Sequence, residues 1–94
     1  VIDLIVVLKA RDSASVPVLR ELMQTLCGLS LAEPGCLRYE LYEASNHPDT
    51  FVLIERWESQ DALETHRKAE GFVTIYAPKV LPLVDRVPYF LGSL

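Results

Sequence analysis

Residues 36–58, CLRYELYEASNHPDTFVLIERWE, decide the fold. Leu37, Tyr39 and Leu41 alternate with Arg38, Glu40 and Tyr42, the period-two pattern of a strand with one apolar face. Asn46-His47-Pro48-Asp49 then supplies turn residues. Thr50 to Glu58 reads as the returning strand, with Phe51, Leu53, Glu55 and Trp57 on one face and Val52, Ile54 and Arg56 on the other. Glu55 is therefore a carboxylate in an apolar phase.

Towards the N-terminus, residues 1–10 are almost continuously apolar and β-branched, as expected of a central strand covered on both faces. Arg11-Asp12-Ser13-Ala14-Ser15 is a polar stop with Ser as N-cap, and Pro17 lies early in the following helix, where its missing N–H is harmless. Leu19, Leu22, Leu26 and Leu29 recur at three- and four-residue steps and predict one apolar stripe. Glu33-Pro34-Gly35 ends that helix, with Gly supplying the positive φ of a tight turn.

Towards the C-terminus, Ser59 is the expected N-cap of a helix through Gln60 to His66, with Asp61 in its first turn and Ala62, Leu63 and His66 facing inward. After a break at Gly71, a further helical segment carries Phe72, Ile75, Tyr76, Lys79 and Val80, bent or interrupted by Pro78. Leu83 to Leu91 reads as a last strand whose pairing Pro88 limits on one side.

The order is βαββαβ, so the expected class is α+β: a ferredoxin-like split unit, residues 1–94 forming one domain, with a four-stranded antiparallel sheet and both helices on one face. The opposite face is left apolar at Ile2, Val52 and Ile54, and a second copy packed against it would bury these groups. A homodimer through sheet faces is the expectation.

Thirteen acidic and nine basic residues are scattered, with no basic run longer than Arg67-Lys68, so a phosphate-backbone partner is not expected. No apolar run reaches the roughly 20 residues that span a bilayer, and the opening has neither a basic leader nor a small-residue cleavage pattern. The expectation is a soluble, cytoplasmic chain without a membrane partner. Cys27 and Cys36 form no disulfide framework and no Cys-x-x-Cys pair, and both are expected to be reduced and buried.

Glu33-Pro34-Gly35-Cys36, the Tyr39–Glu43 strand, Phe51 to Ser59 with its Glu-x-Trp end, and Ala62-Leu63-x-x-His66 together resemble the antibiotic biosynthesis monooxygenase family over essentially the whole chain. The resemblance implies a dimeric α/β barrel with a substrate cavity between sheet and helices in each subunit. Several members of that family oxidise polycyclic phenols or quinols with molecular oxygen. It also includes an isomerase of a phosphorylated signalling sugar and proteins without a known reaction. Related haem-degrading proteins use an Asn on the first strand, a helical Trp and a His beyond it. Here residues 1–10 contain no Asn, and His66 and Tyr76 stand at the other two places.

An electron-rich phenol or quinol, once deprotonated, can itself pass an electron to oxygen, so the protein need supply only a base, orientation and a dry cavity. No cofactor and no metal are expected. His66, one of two histidines, is the candidate general base; His47 sits in a turn. Glu55 is the second catalytic candidate, to orient His66 or bind a substrate hydroxyl, against the alternative of a structural ion pair with an Arg. Tyr39, Trp57, Phe72 and Tyr76 are the candidate aromatic walls for a small aromatic substrate. Arg38, Arg56 and Lys79 are expected to be solvated or interface charges. Two further readings are an isomerase of a small phosphorylated sugar, with Arg or Lys clamping the anion, and a non-catalytic dimeric module binding a hydrophobic metabolite.

Overall fold

The computed structural model describes residues 1–94. Strand β1 is Ile2–Ala10, β2 is Cys36–Glu43, β3 is Thr50–Trp57 and β4 is Val84–Leu91; helix α1 is Val16–Leu31 and α2 is Gln60–His66. A third helical segment, α3 (Phe72–Val80), is wound as a π-helix. Short 3-10 turns, Ser13–Ser15 and Leu81–Leu83, lead into α1 and β4. All neighbours are antiparallel in the order β2-β3-β1-β4, which is the expected ferredoxin-like sheet.

The register sorts the two faces. Facing the helices, Tyr39 lies opposite Glu55, and Glu55 opposite Leu4; the next rows hold Leu53 with Val6 and Phe51 with Leu8. These residues are buried, as are Trp57, Leu19, Met23, Leu26, Leu63, Tyr76 and Val80 from the surrounding elements. On the far face Ile5, Val7, Val52 and Ile54 stay half-buried, while Tyr42, Val87, Tyr89 and Leu91 are exposed. Ile2 belongs to the other side: it pairs with Trp57 and packs on the core.

Four local readings are corrected. The α1 stripe is Leu19, Met23, Leu26 and Ser30, whereas Leu22 is half-buried and Leu29 exposed, because α1 also meets α3 along its flank. Leu37 is not on the Tyr39 face; a register shift between Cys36 and Arg38 leaves it unpaired and exposed, as a β-bulge does to its extra residue. Gly71 is no break, since the chain turns at Arg67 to Ala69 and Gly71 is already helical. A Cβ at Gly71 would stand 3.1 Å from Leu26 Cδ1, so the glycine lets this segment close onto α1. Finally, Ser15 makes no capping bond; Asp12 instead accepts the Ala14 N–H at 2.9 Å and starts the helical run one turn earlier.

Helix propagation through Pro78 is accommodated by the wider π-turn, which tolerates the missing N–H and the ring that break an α-helix. Ser59 caps α2 as expected, its hydroxyl accepting the Ala62 N–H at 3.1 Å. Cys27 and Cys36 are free and half-buried. No helix is long and apolar enough to cross a membrane.

Candidate functional site

The row Tyr39–Glu55–Leu4 forms the floor of a cavity closed above by Leu63, His66 and Arg67 of the α2 end, by Phe72 and Tyr76 of α3, and at the side by Arg86 of β4. Its volume is about 20 Å³, room for roughly one water molecule. A phenol ring is several times larger, so such a ligand must displace a wall. The outer walls, Phe72 and Arg86, are half-buried and exposed respectively.

His66 reaches this cavity because α2 is short and starts at a fixed cap, so its last turn lies over the end of β3. The imidazole stacks on Trp57 with ring centres 4.4 Å apart and planes tilted by 32°. Nδ1 lies 2.7 Å from Glu33 Oε1. Nε2 has no partner in the chain and is not sealed off, since the Ser30 hydroxyl is the only fully buried side-chain polar atom without one. The ring therefore has one anchored nitrogen and one free nitrogen.

Glu55 does not hold His66 and forms no ion pair. Its Oε1 accepts the Trp57 indole N–H at 3.0 Å. Burial pushes its carboxyl above the ordinary value, opposed by the Trp57 hydrogen bond and the positive fields of His66, Arg86 and Arg67. Tyr39 is held well above the usual phenol range by burial and by the Glu55 charge. Burial also raises Tyr76, whose hydroxyl accepts from Arg86 Nε at 2.7 Å, a contact that acts in the opposite sense.

Of the six residues singled out in the sequence, His66, Glu55, Tyr39, Phe72 and Tyr76 line the cavity; Trp57 is fully buried behind His66 and does not. His47 lies exposed in the β2–β3 turn, and Arg38 and Arg56 lie on the far face in pairs with Glu40 and Asp3. Glu33, Arg67 and Arg86 were missed. Arg86 could have been found from its phase, two residues beyond buried Val84 and opposite Leu8. Glu33 carries no such signal, because it lies in a turn without periodic phase and its partner His66 is 33 residues away in sequence. No group of three or more His, Cys, Asp or Glu side chains is arranged to hold a metal.

The sequence profile of the antibiotic biosynthesis monooxygenases matches residues 9–77. YcnE of Bacillus subtilis, a monooxygenase by provisional assignment, is 36% identical over 53 residues, 53% of this chain and 56% of YcnE. Rv0793 of Mycobacterium tuberculosis, assigned in the same provisional way, is 35% identical over 68 residues, covering 72% of this chain and 65% of that protein. The matched segments thus span less than two thirds of these relatives. The solved structure of Rv0793 superposes with a TM-score of 0.86 at 26% identity over 100% of this chain and 96% of the other. SnoaB, a cofactor-independent oxygenase from Streptomyces nogalater, shares the fold, with a TM-score of 0.82 at 14% identity over 98% of this chain and 91% of SnoaB. With its profile matched from β1 into α3 and its architecture found in solved relatives, this chain belongs to the antibiotic biosynthesis monooxygenase family.

Proposed function

We propose that the chain is a cofactor-independent monooxygenase of a small electron-rich phenol or hydroquinone. The observation that carries the reading is the His66 imidazole, anchored through Nδ1 and unpartnered at Nε2, at a cavity walled by Phe72, Tyr39, Tyr76 and Glu55. In this reading Nε2 takes the phenol proton. The phenolate gives one electron to oxygen, and the resulting radical pair collapses to a peroxide at a ring carbon bearing hydrogen. Loss of water leaves a carbonyl, so phenol and O₂ give quinone and water with atoms and electrons balanced. Glu55, raised towards its neutral form, is suited to hold a substrate hydroxyl, and Arg86 with Tyr76 supplies a positive wall for the phenolate. Two copies packed through the Ile5, Val7, Val52 and Ile54 face complete the proposed assembly.

The test is anaerobic mixing of the metal-stripped protein with a panel of hydroquinones, admission of ¹⁸O₂, and mass spectrometry. One labelled oxygen in the product above the enzyme-free rate is expected, with His66→Ala slowing turnover by roughly 10²- to 10⁴-fold. Tight binding without incorporation would replace this reading by a non-catalytic module for hydrophobic metabolites. Arg67 and Arg86 at the same cavity favour one other reading, isomerisation of a small phosphorylated sugar, with the guanidiniums clamping the anion. Saturable phosphosugar binding in the absence of quinol turnover would select it.

A further inference from the structure

We propose that Glu33 is the positioning residue of this site: its carboxylate holds His66 as the Nδ1–H tautomer, so that the lone pair on Nε2 is the one presented to substrate. This rests on the reading of His66 as the base, and it adds a function to a residue that the sequence presents only as part of a turn.

Burial and backbone geometry carry the argument. The His66 side chain is 6% and the Glu33 side chain 15% exposed, and their contact of 2.7 Å is a short one between largely desolvated groups. A neutral imidazole has one N–H and one lone pair, and an ionised carboxylate can only accept. The N–H must therefore sit on Nδ1, leaving Nε2 as the acceptor, although free histidine favours the opposite tautomer. When Nε2 takes a proton, the positive charge forms against a carboxylate already in place. This is the arrangement by which an acid orients a catalytic histidine in hydrolases of unrelated fold.

The turn is clamped so that Glu33 cannot drift. Its N–H donates to Ser30 O at 3.1 Å and its own carbonyl accepts from Cys36 N at 3.2 Å. Gly35 O accepts the Glu58 N–H at 2.8 Å, tying the turn to the end of β3. Gly35 has φ +81°, and a Cβ there would stand 2.6 Å from Ala62 Cβ in the first turn of α2. Glycine thus allows the Glu-Pro-Gly turn to lie directly against α2, and that contact brings the carboxylate to the last residue of the same helix.

The experiment is ¹⁵N NMR of the imidazoles in ligand-free protein, at a pH where both rings are neutral. The chain has two histidines, so His66→Gln assigns the signals. Wild type is expected to show a protonated Nδ1, a lone-pair Nε2 and a downfield Nδ1 proton for His66. Glu33→Gln, whose amide can donate as well as accept, is expected to move the ring to Nε2–H or to a mixture. Glu33→Asp is expected to keep the Nδ1–H form with its proton shifted upfield. A wild-type ring in the Nε2–H form overturns the proposal, and so does a tautomer unchanged in Glu33→Gln. If Glu33→Gln does not fold, an Nδ1 proton unmoved in Glu33→Asp overturns it instead. In turnover, Glu33→Gln is expected to lower kcat by roughly 10- to 100-fold with little change in KM. Because the tautomer is read without substrate or oxygen, absence of oxygen insertion by wild type would remove the monooxygenase reading and leave this one standing. Turnover with the wrong tautomer would do the reverse.

Discussion

Glu55 and Arg56 are consecutive in β3, and that single step carries the chain from one face of the sheet to the other. On the helix side, the row Tyr39–Glu55–Leu4 holds a carboxylate that is 5% exposed and has no cation in contact. On the far side, the adjacent row runs Arg38–Arg56–Asp3, where Arg56 makes a two-point contact with Asp3 and Arg38 another with Glu40. The same residue types are shifted in opposite directions. Burial raises Glu55, whereas hydrogen bonds from Arg38 and Tyr42 bring Glu40 down to about 2. The faces differ in what replaces water around the charge, and only the face that withholds a full replacement leaves groups free to act on a ligand.

The largest effect is expected where buried His66 meets half-buried Glu33 on the helix side. Glu33→Ala leaves the His66 Nδ1–H without an acceptor in a nearly dry setting, at a cost of about 2 kcal/mol. For a domain of this size that lowers Tm by roughly 10 °C, readable by calorimetry. A loss near zero would mean that water replaces the carboxylate and that the α2 end is less enclosed than its burial implies.

Glu55→Gln comes next and has the opposite sign. A carboxyl raised by folding holds its proton more tightly in the native state, so native stability falls as pH climbs from the ordinary value of 4.5 through the raised one. Gln keeps an acceptor for the Trp57 N–H and removes the ionisation. Stability at pH 7 is expected to rise by roughly 1 kcal/mol, with no gain below about pH 4. Urea titrations at the two pH values separate the cases. A loss at pH 7 would mean that Arg67 and Arg86 hold the ionised form in place.

The sequence discloses this contrast unevenly. The β2–β3 hairpin is legible because alternation and turn chemistry agree, and alternation alone puts Glu55 in the apolar phase. His66 follows from a cap and a helical step of seven residues. What fails is whatever depends on an offset or on a distant partner. The bulge moves Leu37 off the face its spacing assigns, and phase counted from residue 1 cannot tell which side of a doubly apolar strand Ile2 takes. α1 turns Met23 and Ser30 inward because α3 claims its flank, and α3 is more than 40 residues away in sequence. Glu33 and His66 are 33 residues apart, and only the closure of the turn on α2 brings them together.

The smallest effect is expected on the far face, from Asp3→Asn. Asp3 and Arg56 have side chains 32% and 49% exposed, so water competes for both charges and salt screens what remains. The measurement must exclude a second copy, because packing through this face would desolvate the pair. Val52→Lys provides the background: Val52 lies in the middle row between Tyr42 and Val7, and a lysine there would hold two faces apart, giving a monomer by light scattering. In that monomer Asp3→Asn is expected to leave the urea midpoint nearly unchanged, with a still smaller shift in 1 M salt. In the parent chain the cost should grow with protein concentration if the face is covered, since association and folding are then linked. Equal, concentration-independent costs in both backgrounds would place the dimer contact elsewhere. A large cost in the monomer would mean that the far face sequesters charge as the helix side does, and the contrast between Glu55 and Arg56 would lose its basis.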